Sequence, residues 1–132
     1  ASDVSGLRCI YQDKNGFLRM PGGGSVLKKA TRGMIELAHI LMGRLKLSKE
    51  DISKYIPHQA NGRILDEIEQ RIDPDKLGKV YRNIERYGNM SAGTVPVALA
   101  EAIENKGVKK GDLVILLDFG SGLTMGCVAV RI

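Results

Sequence analysis

Apolar residues recur at intervals of three and four in three segments of the chain, which is the period of a helix that buries one face. The first segment runs over residues 26–45 and the second over residues 60 to about 71. The third follows Ser91, a residue type that suits an N-cap. Ser48 with Asp51 three residues later completes a capping-box pattern, which adds a short helical turn. We therefore predict three amphipathic helices and one turn of helix.

Three other segments are typical of strands. A short apolar run at residues 55–56 ends at Pro57, which disfavours helix for the residue before it and suits the end of a strand. Residues 112–119 lack polar alternation, as expected of a strand buried on both faces. After the small residues at 120–122, residues 123–132 return as a second strand. Helices and strands together predict an α/β fold.

The first part of the chain, residues 1–25, is glycine-rich and has no clear period. Residues 7–11 suit a short strand, and residues 14–16 suit a turn. Residues 21–25 read PGGGS and are expected to form a loop, since no G-K-[ST] follows that would indicate a phosphate-binding loop. We therefore describe one domain, 1–132, with an irregular segment followed by a core over residues 26–132.

The composition is that of a globular protein, with 43% apolar and 27% charged residues in a chain of 132. The longest apolar run, residues 113–117, is too short to span a membrane. No signal peptide is expected, because residues 1–10 contain charges and no apolar stretch. Cys9 and Cys127 lack the spacing of a disulfide framework or a zinc knuckle. These features predict a cytoplasmic location.

The net charge of +5 leaves two kinds of partner open. Nucleic acid is one, although Phe and Tyr total only six, two and four respectively, and Trp is absent. A basic rim that attracts an acidic protein or a phosphorylated cofactor fits equally well. No metal site is expected, because His39 and His58 lie on separate predicted elements without acidic or thiol neighbours at ligand spacing.

Two polar residues stand at the ends of predicted elements, where side chains can be both exposed and rigidly held. His58 lies at the corner between the strand at 55–56 and the helix that follows. Asn89 precedes the third helix, at a place where backbone N–H groups point outward. These two residues are the candidates for chemistry.

Three motifs then occur in a specific order: PHQAN at residues 57–61, YGNMSA at residues 87–92 and FGSGLTMG at residues 119–126. With these separations the chain resembles the C-terminal half of β-ketoacyl-[acyl-carrier-protein] synthase III, a thiolase-fold condensing enzyme. The resemblance runs over residues 26–132 and is looser over residues 1–25. It implies a thiolase-like α/β fold with a mixed five-stranded sheet and packed helices, incomplete without an N-terminal half.

The resemblance also implies an activity, a decarboxylative Claisen condensation in fatty acid biosynthesis. An acyl group passes from coenzyme A to a cysteine, and malonyl-[acyl-carrier-protein] loses carbon dioxide to give a carbanion that attacks the acyl thioester. In this family the His and Asn of the two motifs act with that cysteine, and by position these are His58 and Asn89. Preorganised donors such as an imidazole and a carboxamide suit a developing enolate. No cofactor is implied beyond coenzyme A as part of the substrate.

Further residues receive roles from the resemblance alone. The backbone around Ser121 is expected to help form an oxyanion hole, with Asn61 and Phe119 lining the same cleft. Lys28 and Arg63 match positions that present a basic surface to acyl carrier protein and to the phosphates of coenzyme A. The implied partners are these two molecules, an N-terminal half and a second copy of the full enzyme, but neither nucleic acid nor a membrane.

The chain departs from the family at several points. Met90, Ser121 and Met125 stand where threonine, glycine and an aromatic residue are usual, and a longer loop is usual before residue 26. Neither Cys9 nor Cys127 occupies the position of the nucleophile, which we expect in an N-terminal half, either covalent or a separate chain. By itself the chain is expected to be inactive.

Two other functions remain open from the sequence. One is a related thiolase-fold enzyme that transfers acyl groups from coenzyme A to a different acceptor, which the loop lining the substrate tunnel would distinguish. The other is a non-catalytic module that binds acyl chains or carrier protein, and a cysteine-bearing partner would argue against it.

Overall fold

The computed structural model describes residues 11–19, 21 and 23–132. This part of the chain contains both helices and strands, connected in places by short 3₁₀ turns. In chain order the elements are β1 (Tyr11–Gln12), β2 (Leu18–Arg19), α1 (Gly23–Leu45), β3 (Lys54–Pro57), α2 (Gly62–Ile72), α3 (Ile84–Tyr87), α4 (Thr94–Glu104), β4 (Leu113–Gly120) and β5 (Thr124–Arg131).

A mixed three-stranded sheet in the order β3-β4-β5 forms the centre of the described structure. Strand β3 is parallel to β4, with Tyr55 opposite Ile115, and β4 is antiparallel to β5, with Leu117 opposite Cys127. The parallel pair needs a long crossover, which α2, α3 and α4 provide. The β1 and β2 strands pair separately as an antiparallel hairpin.

One face of the sheet is covered by α1 and α2. Alternate residues of β4 pack there, and Tyr55 of β3 joins them with no exposed surface. Helix α1 supplies a stripe with the spacing of a helical face, formed by Val26, Ala30, Met34, Ala38 and Met42. Each fully buried aliphatic side chain stabilises such a core by about 1.5–3 kcal/mol, so this layer fixes the position of the sheet relative to α1.

Helix α4 covers the other face. Its buried residues Val95, Ala98 and Ala102 pack against Ile56 of β3 and Val114 of β4. Neighbouring strand residues therefore point to opposite layers, Tyr55 to α1 and Ile56 to α4, as strand pleating requires. His58 continues the α4 side of the strand, two residues beyond Ile56, and so faces the start of α4.

The predicted strands over residues 55–56, 112–119 and 123–132 are confirmed as β3, β4 and β5. The predicted turn over residues 14–16 connects β1 to β2. The mixed α/β class is confirmed, but the implied single five-stranded sheet is not found among the described residues: three strands form the central sheet and two form the separate hairpin. The strand predicted over residues 7–11 lies outside the described residues except at its last position, Tyr11.

Two local predictions are wrong. Helix α1 begins at Gly23 rather than near residue 26, so the predicted loop at 21–25 ends earlier than expected. Ser91 is not the N-cap of α4: it adopts φ 54° in a 3₁₀ turn, and Gly93 takes the N-cap position. Packing and consecutive tight turns override the local signal at these positions. The short helix α3 begins at Ile84, and α4 ends at Glu104.

The capping box at Ser48 is present in the turn that precedes β3. The Asp51 carboxylate accepts hydrogen bonds from the Ser48 backbone N–H at 2.7 Å and from its hydroxyl at 2.9 Å. The first of these, together with the hydroxyl bond, lowers the pKa of Asp51 below its usual value. Among the described helices, none has the length and apolar character needed to cross a membrane.

Candidate functional site

A pocket of about 890 Å³ opens where β3 and β4 end and β5 begins. The carboxyl ends of adjacent parallel strands meet at this edge, which is where α/β folds place their binding sites. The predicted site residues His58, Asn61, Asn89, Phe119 and Ser121 all line this pocket. The fold therefore brings together residues from three separate motifs.

His58 is held firmly at the corner that follows β3. Its backbone N–H donates to the carbonyl oxygen of Leu117 in β4 at 2.7 Å, which extends the parallel pairing by one bond. Only 7% of the residue is exposed, yet it lines the pocket. The Phe119 ring packs against it edge to face, with 5.0 Å between ring centroids at 74°. The imidazole is thus buried on one side and directed to the pocket on the other.

Two polar groups contact Nδ1 of His58. Thr94 Oγ1, at the first position of α4, lies 2.8 Å away, and Asp118 Oδ1 in β4 lies 2.9 Å away. Thr94 has no exposed surface, whereas the Asp118 side chain is 44% exposed. With Nδ1 engaged by these neighbours, Nε2 is the nitrogen available to the pocket.

Asn89 lies in the loop between α3 and α4 and is exposed. Its carboxamide oxygen accepts a hydrogen bond from the Ser91 backbone N–H at 2.9 Å. The carboxamide nitrogen lies 3.5 Å from the carbonyl oxygen of Ala60, a weak contact at the limit of hydrogen bonding. The oxygen is therefore held by the local turn, and the amide hydrogens are directed toward the corner that carries His58.

Asn61 and Ser121 occupy fixed positions on the pocket wall. Asn61 is the N-cap of α2, and its side-chain oxygen accepts from the Ile64 backbone N–H at 3.0 Å, a contact worth about 1 kcal/mol in comparable caps. In the turn between β4 and β5, the left-handed conformation falls on Gly122 and Leu123, with φ 69° and 50°. Ser121 avoids it, so serine in place of the usual glycine brings no backbone strain there.

The two predicted docking residues differ in their relation to the pocket. Arg63 is exposed on the first turn of α2 and lines a smaller pocket of about 540 Å³. This second pocket shares Leu27 and Asn61 with the main one, so Arg63 lies at its rim. Lys28 is exposed on α1 and lines neither pocket.

Three residues important for the site were missed from the sequence. Gln59 has no exposed surface, and its carboxamide binds the backbone of Pro57, Tyr81 and Asn83. Thr94 and Asp118 contact His58 from the two other elements. One signal for Asp118 was available, because it is the single charged residue between Leu113 and Gly120 in an otherwise apolar strand.

Cys127 does not line the pocket. It is partly buried in β5, and burial raises the pKa of its thiol to about 11, which leaves it protonated at neutral pH. Cys9 lies outside the described residues. Among the described residues, no cluster of His, Cys, Asp and Glu has the arrangement of a metal site.

Comparisons with known proteins add three findings. Residues 42–132 match the family described as 3-oxoacyl-[acyl-carrier-protein (ACP)] synthase III C terminal. The chain is 39% identical over 122 residues to a β-ketoacyl-[acyl-carrier-protein] synthase III of Aquifex aeolicus, covering 92% of this chain and 39% of that protein. A protein of the same name from Clostridioides difficile is 45% identical over 109 residues, covering 83% and 33%.

The fold agrees with these matches. A crystal structure of 3-oxoacyl-[acyl-carrier-protein] synthase III from Aquifex aeolicus superposes with a TM-score of 0.93 at 37% identity, covering 100% of this chain and 42% of that one. The chain thus spans about two fifths of the length of the relatives it matches. The thiolase-like half predicted from the motifs is confirmed as the fold.

Proposed function

The chain belongs to the 3-oxoacyl-[acyl-carrier-protein] synthase III C-terminal family, and on this premise we propose that it forms the His- and Asn-bearing part of a condensing enzyme of fatty acid biosynthesis. The reaction would be the decarboxylative condensation of an acyl-coenzyme A starter with malonyl-[acyl-carrier-protein]. The observation that supports this most directly is the shared pocket of His58 and Asn89, which lie on different loops. The second functional class, a binding module without catalysis, would not need these two groups in one cleft.

The proposed chemistry divides into two steps. In the first, the C–C bond to the malonyl carboxylate breaks, carbon dioxide leaves, and the electron pair forms an enolate on the thioester. In the second, the enolate carbon attacks the acyl thioester carbon, and the cysteine thiolate leaves. His58 and Asn89 would stabilise the enolate oxygen by hydrogen bonds, each worth roughly 3–4 kcal/mol in comparable sites. Asn89 suits this role because its oxygen is occupied by Ser91.

The acyl-accepting cysteine would come from outside the residues described. Cys127 is protonated at neutral pH and does not line the pocket. We propose that an N-terminal half supplies the nucleophile and completes the pocket, and that residues 1–132 act as one C-terminal domain beside it. Acyl carrier protein and coenzyme A are the proposed partners, and the full enzyme is proposed to be a homodimer.

The roles of His58 and Asn89 can be tested in the intact protein that carries this chain. His58→Ala and Asn89→Ala should reduce malonyl decarboxylation at least 10²-fold and leave acyl loading on cysteine largely unchanged. The matched controls are His39→Ala and Asn15→Ala, which remove the same side chains from exposed positions on α1 and in the β1–β2 turn. Loss of loading with decarboxylation intact would refute these roles.

Mass spectrometry tests whether the cysteine lies on a second polypeptide or on a longer form of the same chain. Native and denaturing mass spectrometry of the purified protein should reveal either a second polypeptide bound to a chain of 132 residues or one chain more than twice as long. A chain of 132 residues that condenses substrates without a partner would refute the proposed division of the site.

A further inference from the structure

The neighbours of His58 determine which ring nitrogen carries hydrogen. Thr94 has a single hydroxyl hydrogen, and Oγ1 donates it to the Ser91 carbonyl oxygen at 3.0 Å. The Asp118 carboxylate can only accept hydrogen bonds when ionised. Both groups lie within 2.9 Å of Nδ1. A hydrogen on Nδ1 serves both as acceptors, whereas a lone pair on Nδ1 would face the Asp118 carboxylate.

This assignment changes what the ring offers to the pocket. A neutral imidazole with hydrogen on Nδ1 carries a lone pair on Nε2. Within the described part of the chain, no hydrogen-bond partner of Nε2 is found, and His58 lines the pocket. A lone pair there would repel an enolate oxygen. Nε2 becomes a donor only when the ring holds both protons, and a charge-assisted bond of that kind is about twice as strong as a neutral one.

Asp118 supplies the negative charge that such a ring requires. Its Oδ1 also accepts from the Phe119 backbone N–H at 2.9 Å, which fixes the carboxylate in place beside Nδ1. Of the described residues that line the pocket, Arg19 and Asp118 carry charge, and Arg19 is paired with Asp13 at 2.7 Å. No other charged group from α4, β3 or the Asn89 loop contacts the imidazole in the described residues.

We propose that Asp118 is a positioning residue: it holds the hydrogen of His58 on Nδ1 and is the counter-ion of the imidazolium that donates from Nε2 to the enolate oxygen. The inference rests on the proposed function of the pocket. His58 keeps both protons throughout decarboxylation, since the electron pair from the broken C–C bond ends on the enolate oxygen. The Asp118 carboxylate, which is already in place beside the ring, offsets the electrostatic cost of the positive charge on His58.

The test combines a spectroscopic and a kinetic reading on the intact protein with ¹⁵N-labelled histidine. Long-range ¹⁵N–¹H correlation spectra distinguish the two neutral tautomers from the imidazolium, and His58→Gln assigns the signals. In the wild type, the neutral ring should carry hydrogen on Nδ1. Malonyl decarboxylation should follow the doubly protonated fraction of His58 as the pH is varied.

Asp118→Asn isolates the charge, because the amide oxygen can still accept from both Nδ1 and Phe119. At a fixed neutral pH the variant should keep the tautomer but lose doubly protonated ring and decarboxylation together, the rate by about 10²-fold. The matched control is Asp112→Asn, immediately before the other end of the strand, where the side chain accepts the Lys109 N–H. The control should leave both readings unchanged.

Three results would overturn the proposal: a neutral wild-type ring protonated on Nε2, an unchanged rate in Asp118→Asn, or full decarboxylation where the spectrum shows a neutral ring. The tautomer measurement requires no substrate. A wild-type protein that decarboxylates nothing would therefore refute the proposed function, whereas the tautomer would still decide the role of Asp118.

Discussion

The side-chain oxygen of Gln59 accepts a hydrogen bond from the backbone N–H of Asn83 at 3.2 Å. The amide nitrogen of Gln59 donates to the carbonyl oxygens of Pro57 and Tyr81, at 2.9 and 3.1 Å. One buried carboxamide thus connects the corner that carries His58 to the segment that enters α3. Gln59 therefore fixes the corner that carries His58 relative to the segment that leads, through α3, to the Asn89 loop.

Replacing Gln59 should therefore destabilise the fold. Gln59→Met would leave the Asn83 N–H and the Tyr81 carbonyl unpaired in the interior, at about 1–3 kcal/mol for each group. The expected loss is roughly 2–6 kcal/mol of unfolding free energy, measured by urea denaturation. Gln70→Met, an exposed position on α2, is the matched control. Equal midpoints for the two variants would contradict the role given to Gln59.

The glycines of α1 should respond differently to alanine. A Cβ at Gly33 would lie 2.3 Å from Met125 Sδ, whereas a Cβ at Gly43 would have no neighbour within 4 Å. Gly43→Ala should therefore stabilise the protein by up to about 1 kcal/mol through helix propensity. Gly33→Ala should gain less, or destabilise, because Met125 must move from its place on the pocket wall.

The Met125 contact is isolated by a double-mutant cycle in thermal or urea unfolding. In a Met125→Ala background, Gly33→Ala should regain the stabilisation seen at Gly43. If Gly33→Ala still stabilises the protein less than Gly43→Ala in that background, a contact other than that with Met125 must be responsible.

The Glu101 network predicts a pH dependence of stability. Glu101 accepts hydrogen bonds from Asn83 and Arg86, both at 2.8 Å, and these contacts, that of Asn83 first, lower its pKa. Because the pKa of Glu101 is lower in the folded state than in the unfolded state, ionised Glu101 stabilises the protein at pH values above the ordinary glutamate pKa, about 4.3. That stability is lost as the pH falls through the folded-state pKa.

Glu101→Gln should consequently flatten the acid side of the stability profile between about pH 5 and 3, measured by urea denaturation at each pH. Glu104→Gln, at the exposed end of the same helix, removes the same charge without this network and serves as the control. An unchanged acid slope in Glu101→Gln would contradict the assignment.

The position of Arg63 at the rim of the main pocket predicts salt-sensitive binding of acyl carrier protein, on the proposed function. Arg63→Glu should raise the KM for the carrier protein about fivefold at low salt, corresponding to roughly 1 kcal/mol for one exposed charge. The effect should decline at high salt because surface charges are screened. Arg71→Glu, at the far end of α2, makes the same charge reversal away from both pockets. A KM that changes equally in both variants would place docking elsewhere.

Much of the architecture follows from the sequence itself. The intervals of three and four residues gave α1, α2 and α4, because each of these helices buries one stripe against the sheet. The unbroken apolar run gave β4, which is covered on both faces. Local signals located His58 and Asn89 at element ends, since these ends are marked by proline, glycine and small polar residues.

The tertiary structure decided what surrounds those residues. Thr94 reaches His58 across 36 positions, and Gln59 reaches Asn83 across 24. Such pairs depend on the register of β3 with β4 and on the angle at which α4 meets the sheet, and no local period encodes either. For the same reason Asp118 becomes a neighbour of the imidazole only when the two strands align.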